Sequence, residues 1–249
     1  MSEREVLLLR LDAPLMSFGG VVVDERGVTE EMPTRSMLTG LLGNALGYDH
    51  RDAELLQRLQ DRLRHAVRRD RPGRLLVDFQ TVDLGQPFLA EGWTTRGVAV
   101  GRRGGSAATG THIRRRHYWA DAVFTVALSL EPEAEAPDLA CCAAALGEPE
   151  RPLFLGRKPC IPSLPLVLGM VRAASLHAAL IRAPISARAA KGGPWAAWWP
   201  EAGEPAPAAG AGRLLPMYDE RDWTNQIHTG RRFLWEGRIE AGDLEAGDE

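Results

Sequence analysis

Basic side chains that could bind phosphate are concentrated in one stretch of this 249-residue chain. From Arg96 to His117 no acidic residue interrupts the arginines and histidines. The basic residues of this stretch are Arg96, Arg102, Arg103, His112, Arg114, Arg115, Arg116 and His117. Lysine occurs only at Lys158 and Lys191, so arginine, whose planar fork matches phosphate and stacks on bases, supplies the positive charge. The cluster predicts a nucleic-acid surface, although the net charge of the chain is −3.

Residues able to catalyse RNA cleavage are sparse. His112, His117, Tyr118 and Lys158 could move a proton or stabilise charge at a phosphate. His117 and Tyr118 are adjacent in a predicted strand, where successive side chains point to opposite faces, so we do not expect them to act on one phosphate. The sequence contains no GxSxG, HExxH or P-loop motif, and no Cys/His spacing typical of zinc sites. These observations predict binding rather than catalysis, with neither a metal nor a cofactor.

The segment Met32–Tyr48, MPTRSMLTGLLGNALGY, is predicted to be a helix with a basic start. Pro33 suits the first turn of a helix, and Thr34 and Ser36 have side chains that cap free N–H groups there. The apolar residues at helical spacing are Leu38, Leu41, Leu42, Ala45 and Leu46. Glycines at positions 40, 43 and 47 leave a bare stripe along this helix, so another group must approach it closely.

Two interpretations of this helix remain open from the sequence. The glycines could simply allow close packing of the helix on a sheet. Alternatively, Arg35, Ser36 and the free amides of the helix start could bind a phosphate. A third basic element, Arg157 and Lys158, lies in the Gly/Pro-rich loop Leu153–Pro165. Three basic elements with aromatic residues nearby favour a single-stranded RNA surface of charge plus stacking, while binding of a protein partner stays open.

Composition is ordinary for a globular protein, with 45% hydrophobic and 25% charged residues. No apolar run reaches the roughly 18 residues of a membrane span. The N-terminal sequence MSEREVLLLRL has too short an apolar core for a secretory signal. The three cysteines, Cys141, Cys142 and Cys160, do not suggest a disulfide framework. We therefore expect a cytoplasmic protein that does not bind a membrane.

The sequence pattern predicts an α+β protein. Strands are expected at Glu5–Leu11, Arg74–Val82, Tyr118–Leu130, Val167–Val171, Leu214–Met217 and Arg232–Arg238. Helices are expected at Pro33–Leu46, Asp52–Ala66, Asp138–Leu146 and Ser175–Ile181. Long irregular segments are expected at Asp83–Ile113, Leu153–Pro165 and Ala183–Gly212, the last a mobile Ala/Gly/Pro insertion that docks by Trp195, Trp198 and Trp199. The order resembles an elaborated βαββαβ unit, which is the ferredoxin-like arrangement.

Three segments, in their order and spacing, resemble the CasD family. They are MPTRSMLTGLLGNALGY, RRRHYWADAVFTVALSL and PLFLGRKPCIPSLPLVLG, and LLLRLDAPLMSFG at the first strand also fits. The CasD family provides the small repeat-associated (RAMP) subunit of the type I-E CRISPR surveillance complex, Cascade. The resemblance covers about residues 5–182, is weak over the Ala/Gly/Pro segment and is moderate at the C-terminus.

This resemblance implies a fold and a set of partners. The fold would be a modified ferredoxin-like, RRM-like domain over residues 1–182 with a long thumb hairpin at about 82–113. The 183–212 insertion and a small C-terminal β segment with an acidic tail, 213–249, would follow. The protein would hold the repeat-derived 5′ tag of the CRISPR RNA, cap the CasC backbone and contact the large CasA subunit. It would meet target DNA only through the complex.

The resemblance also implies which residues act and whether they catalyse. The expected RNA-binding residues are Arg35, Ser36, Arg102, Arg103, His112, Arg114, Arg115, Arg116, Arg157 and Lys158. Type I-E systems process the guide with a separate endoribonuclease, CasE, so a non-catalytic subunit is implied. Type I-C systems use the homologous subunit as the nuclease, with a Tyr/Lys/His set. A metal-independent endoribonuclease that cuts CRISPR repeat RNA is therefore the alternative, and a stand-alone RNA-binding module is a third.

Overall fold

The computed structural model describes residues 3–20, 25–83, 91–93, 99–101 and 110–244. Its strands are β1 Arg4–Asp12, β2 Leu15–Met16, β3 Arg26–Gly27, β4 Leu63–Arg71, β5 Arg74–Asp83, β6 Glu91–Trp93, β7 Ala99–Gly101, β8 Thr111–Ala120, β9 Val123–Leu130, β10 Val167–Ala173, β11 Trp195–Pro200, β12 Arg213–Met217, β13 Glu220–Asp222, β14 Ile227–Thr229 and β15 Arg232–Ile239. Its helices are α1 Arg35–Ala45, α2 Ala53–Arg62, α3 Leu139–Gly147 and α4 Leu176–Arg182. The α+β class predicted from the sequence is confirmed.

Seven strands form the main sheet, in the order β10-β1-β9-β4-β11-β15-β12. All pairings within this sheet are antiparallel. Side chains of β1 alternate between two cores: Leu7 and Leu9 join the core beneath α1, α2 and α3, whereas Val6 and Leu8 join the core beneath α4. Because both faces of β1 are buried, its sequence is a continuous apolar run rather than an alternating one.

A second sheet is built around β8. β5 pairs with β8 over ten residues, from Arg74 opposite Ala120 to Asp83 opposite Thr111. β2 and β3 pair with the other edge of β8, and further along the chain β6 pairs with β7. We call the two strands β5 and β8 the arm. Most of the predicted thumb, at about 82–113, lies outside the described residues.

Two predicted elements are corrected by the structure. The helix predicted for Asp52–Ala66 ends at Arg62, and β4 follows at once. The strand β4 has no apolar pattern in the sequence because two of its buried positions hold charged residues. These are Arg68 and Asp70, each 0% exposed. The strand predicted for Tyr118–Leu130 is the end of β8 followed by β9, joined at Asp121, which has a positive φ of 63°. At this turn the chain passes from the arm to the main sheet.

The segment 183–212 contains a strand of the main sheet. β11 pairs with β4 on one side and β15 on the other, and Trp198 and Trp199 are each 2% exposed. The prediction that tryptophans anchor this segment is confirmed, but the prediction of a mobile insertion is wrong for Trp195–Pro200. β15 and β12 extend the same sheet to its edge. Among the described residues, no helix is long and apolar enough to cross a membrane.

Candidate nucleic-acid interface

The two faces of the arm differ in chemistry. Successive strand residues point to opposite faces, so the register assigns each side chain to one face. The basic face, as we call it, carries His112, Arg114, Arg116 and Tyr118 of β8 opposite Val82, Gln80, Asp78 and Leu76 of β5. The apolar face carries Ile113, Arg115, His117 and Trp119 opposite Thr81, Phe79, Val77 and Leu75. Three adjacent arginines in sequence are therefore split between two surfaces.

The basic face presents Arg114 and Arg116 two residues apart along β8. Arg116 is exposed, and Arg114 and His112 are half-buried. Gly27 of β3 is the parallel partner of Arg116, and the Arg157 guanidinium lies where a Cβ of residue 27 would be. Asp78 is the acidic residue of this face, and its carboxylate accepts a hydrogen bond of 2.6 Å from the side-chain amide of Gln80. The guanidinium groups of this face can therefore hold phosphate oxygens.

The apolar face is unsuited to the role predicted for Arg115. Its guanidinium lies 3.1 Å from the Glu25 carboxylate and 5.8 Å from the ring centre of Phe79. Around it, Leu75, Val77 and Phe79 are each about half exposed. The structure thus places Arg115 on the opposite face of β8 from Arg114 and Arg116, with which it is grouped in the predicted RNA-binding set.

His117 and Tyr118 point to opposite faces of β8, as the sequence predicted. His117 shares the apolar face with Val77, whereas Tyr118 is 3% exposed in the core. A single phosphate cannot be reached by both side chains. The geometry of this pair therefore favours binding over acid–base catalysis.

The predicted irregular segment Leu153–Pro165 is confirmed as a loop, and it contacts the basic face. Gly156 has a φ of 93°, and a Cβ there would lie 1.7 Å from the carbonyl oxygen of Ser17, so the loop requires glycine. Arg157 donates hydrogen bonds to the carbonyl oxygens of His117 (3.1 Å) and Gly27 (2.9 Å). Lys158, the next residue, is exposed. The structure therefore brings this loop to Gly27, the register partner of Arg116.

A carboxylate of the same chain, that of Asp219, accepts a hydrogen bond from a free N–H group at the start of α1. Thr34 caps the helix as predicted, accepting a hydrogen bond of 3.3 Å from the Met37 N–H. The Asp219 carboxylate accepts a 2.6 Å hydrogen bond from the Arg35 N–H, and the Asp219 carbonyl accepts one of 3.1 Å from the Ser36 N–H. Asp219 thus occupies the place predicted for a phosphate. Arg35 and Ser36 are buried, and we leave both out of the interface.

Charge balance explains why these groups tolerate burial. Two guanidinium nitrogens of Arg232 each lie 2.7 Å from an oxygen of Asp219. Burial alone would raise the pKa of Asp219, but the hydrogen bonds and charge of Arg232 outweigh it and hold that pKa below its usual range. Burial, reinforced by the charge of Arg232, lowers the pKa of Arg35 to about 10. The cluster holds the C-terminal segment against α1.

Close packing explains one glycine of the predicted stripe, Gly43; Gly47 lies beyond the end of α1, and a Cβ at Gly40 would make an ordinary contact of 3.7 Å with Trp223. A Cβ at Gly43 would lie 2.5 Å from a side-chain carbon of Leu56 in α2. The close-packing interpretation is therefore supported, with the correction that the neighbour is a helix rather than a sheet. Arg102 and Arg103, predicted on the thumb, lie outside the described residues.

His65 of β4 lies beside the same cluster and is 1% exposed. Its Nε2 atom lies 3.3 Å from the Pro33 carbonyl oxygen and 3.3 Å from a guanidinium nitrogen of Arg232. Burial, together with the charge of Arg232, lowers the pKa of His65 well below its usual value. The folded protein therefore keeps this imidazole neutral under mildly acidic conditions.

Acid should destabilise the fold through His65. The unfolded chain takes up this proton below about pH 6.5 and the folded protein does not, so stability is complete above about pH 6.5 and falls below it by up to about 1.4 kcal/mol per pH unit. Urea unfolding measured between about pH 7.5 and about pH 5 should show this slope. In His65→Gln, unfolding should take up about one proton fewer, so the slope should be smaller. The rest of the slope comes from His177 and His228, whose pKa values burial also lowers. The control, His50→Gln at an exposed site, should leave the slope unchanged, and an unchanged slope in His65→Gln would contradict the account.

A match to a protein-family model identifies the family of this chain. The family model described as CRISPR-associated protein (Cas_Cas5) matches residues 6–234. This chain belongs to the Cas5 family. The Cas5-family chain is 34% identical over 178 residues to the CRISPR system Cascade subunit CasD of Escherichia coli (strain K12), covering 72% of this chain and 76% of that protein. The resemblance seen in the sequence is thereby confirmed.

Solved structures support the same family assignment. One chain, from a structure titled CRISPR RNA-guided surveillance complex, is similar with a TM-score of 0.67 and 28% identity, covering 97% of this chain and 94% of that one. A second, titled Crystal structure of Cas protein, has a TM-score of 0.62 and 29% identity, covering 97% and 98%. The likeness thus extends over nearly the whole Cas5-family chain.

Proposed function

We propose that this chain is a non-catalytic subunit of a type I-E Cascade complex that holds the repeat-derived 5′ tag of the CRISPR RNA. The observation that carries this proposal is the basic face of the arm. Arg114 and Arg116 share that face with His112, and the loop bearing Lys158 adjoins it. Arginine forks suit the phosphates of a single strand.

The strand order supports the ferredoxin-like part of the proposal. Along the chain come β1, the pair α1 and α2, β4, β9, α3 and β10. In the sheet the four strands lie in the order β10-β1-β9-β4, all antiparallel, and residues of α1, α2 and α3 join one core. We infer a βαββαβ core whose helices cover one face, with β11, β15 and β12 as an extension.

The proposed partners follow from the relatives. The Escherichia coli relative is named a Cascade subunit, and one structural neighbour comes from an RNA-guided surveillance complex. We propose that this chain caps the CasC backbone beside the CasA subunit and meets target DNA only through that complex. Arg102, Arg103 and His112 would act where the thumb, at about 82–113, crosses the guide. The expected location is the cytoplasm.

The alternative, a metal-independent nuclease, needs a base and a cation at one scissile phosphate. His117 lies on the apolar face, whereas the loop carrying Lys158 meets the basic face. His117 and Tyr118 point to opposite faces of β8, so they cannot act together on one phosphate. Binding is therefore the function that we favour.

Incubation with CRISPR repeat RNA tests this proposal. The purified full chain, without metal, should leave the repeat RNA intact, and with CasC it should assemble only on guide RNA that carries the tag. Guide RNA lacking the tag is the matched control. Cleavage at a single phosphate that is lost in His117→Ala or Lys158→Ala would overturn the non-catalytic proposal in favour of the nuclease.

A further inference from the structure

The edge of β8 that faces β2 and β3 has a gap in its strand pairing. β2 pairs with Trp119 and Ala120, and β3 pairs with Arg115 and Arg116. Neither strand pairs with the residues between them, His117 and Tyr118. The loop Leu153–Pro165 meets the edge at this gap, since the Ser17 N–H donates a hydrogen bond of 3.2 Å to the carbonyl oxygen of Leu155.

Arg157 fills this gap with its guanidinium. One terminal nitrogen donates to the His117 carbonyl oxygen on β8, and the other donates to the Gly27 carbonyl oxygen on β3. The guanidinium carbon lies 5.0 Å from the centre of the Tyr118 ring. The guanidinium thus links the two paired strands, and both of its terminal nitrogens donate to the protein.

Gly27 is fitted to this bridge. A Cβ at position 27 would lie 2.6 Å from a terminal nitrogen of Arg157, so any larger residue would displace the guanidinium. β3 is only two residues long, and its pairing with β8 is therefore short. Its position beside Arg116 depends strongly on a bridge that holds the Gly27 carbonyl.

We infer that Arg157 is a positioning residue, which bridges β3 and β8 and thereby holds β3 against the edge of β8 beside Arg116 for RNA binding. This inference rests on the proposed function and refines it, because the sequence placed Arg157 among the RNA ligands. A phosphate ligand needs a cation in reach of solvent, whereas a bridge needs two donors with the geometry of the guanidinium fork. A lysine could therefore replace Arg157 as a phosphate ligand but not as a bridge.

Binding of a fluorescent 5′-tag RNA to the full chain, at several salt concentrations, tests the inference. We expect Arg157→Ala and Arg157→Lys to weaken binding alike, roughly tenfold, with little change in the salt slope, since no phosphate contact is lost. Gly27→Ala removes no charge but displaces the guanidinium, so it should reproduce that loss. The double variant Gly27→Ala/Arg157→Ala should bind no more weakly than either single variant. Lys158→Ala is the charge-loss control, with a slope reduced by about 0.7.

Three results would overturn the inference. Wild-type binding by Arg157→Lys, together with a slope reduced by about 0.7 in Arg157→Ala, would make Arg157 a phosphate ligand. If folded Arg157→Ala binds the tag RNA with unchanged affinity, Arg157 contributes to stability and not to RNA binding. Hydrogen exchange gives a readout without RNA: the Arg115 amide, bonded to the Glu25 carbonyl, should exchange faster in Arg157→Ala, and unchanged exchange would contradict the bridge. Failure of the wild type to bind the tag would count against the proposed function, while the exchange result would still decide on the bridge.

Discussion

Replacing Arg68 by methionine should cost about 3–5 kcal/mol of stability, the range found when one partner of a buried ion pair is removed. Neither Arg68 nor Asp70 is exposed, and their side chains lie 2.7 Å apart. Asp70 also accepts hydrogen bonds from the Thr125 hydroxyl (2.9 Å) and the Ser186 N–H (3.1 Å). Methionine would fill the volume of Arg68 and leave this buried carboxylate with the more distant Arg10, whose guanidinium lies 3.9 Å away.

Arg68 also satisfies the C-terminal end of α4. Its guanidinium donates to the carbonyl oxygens of Leu180, Ala183 and Pro184. The last carbonyls of a helix have no partner within the helix, so a cation there both bonds them and opposes the helix dipole. Loss of Arg68 therefore removes hydrogen bonds from the end of α4 as well as from Asp70. It should weaken the packing of α4 on the core that this helix covers.

Urea unfolding compares this variant with a neighbour on the same strand. Arg69 is half-buried and lies 5.3 Å from the ring centre of Trp198, so Arg69→Ala should cost only about 0.5–1 kcal/mol. The double variant Arg68→Met/Asp70→Leu should recover part of the loss, because an apolar pair replaces the ionic one. A cost for Arg68→Met no larger than that for Arg69→Ala would contradict this description of the core.

Removing both arginines of the basic face should weaken binding of the tag RNA roughly 10- to 100-fold at moderate salt. Each phosphate contact with a single strand contributes about 0.7 to the slope of log K against log salt, so Arg114→Ala/Arg116→Ala should lower the slope by about 1.4. The loss should be nearly independent of base sequence, since phosphate contacts carry no sequence information.

Arg115→Ala is the matched control for this prediction. Arg115 lies between the two arginines in sequence, but its guanidinium pairs with Glu25 on the apolar face. Its removal should change affinity by no more than about twofold and leave the slope unaltered. If Arg115→Ala weakens binding as much as the double variant, the RNA does not follow the basic face.

Local pattern was enough to predict several elements of the fold. β1, α1, α3 and the strand β5 follow their predicted ranges within about two residues, because each carries a continuous or periodic apolar pattern. β4 was missed because its buried charges are satisfied by partners far along the chain, such as Arg68 with the end of α4. No window of sequence shows such partners.

The candidate site shows the same division between local and distant information. Alternation along β8 predicted that His117 and Tyr118 point apart, and the same rule, applied one step further, would have separated Arg115 from Arg116. The closure of α1 by Asp219 joins residues 184 positions apart, which no motif spacing reveals. The role of Arg157 depends on two backbone carbonyls, and these have no signature in side-chain sequence.

Photocrosslinking of a 5′-tag RNA that carries 4-thiouridine tests the central claim most directly. The full chain would be irradiated with tagged guide RNA and, in parallel, with guide RNA lacking the tag, and the crosslinked residues would be mapped by mass spectrometry. The account predicts tag-dependent crosslinks on the basic face, at β8 near Arg114 and Arg116 and at the loop near Lys158. Crosslinks confined to the apolar face around Phe79, or equal yields with and without the tag, would contradict it.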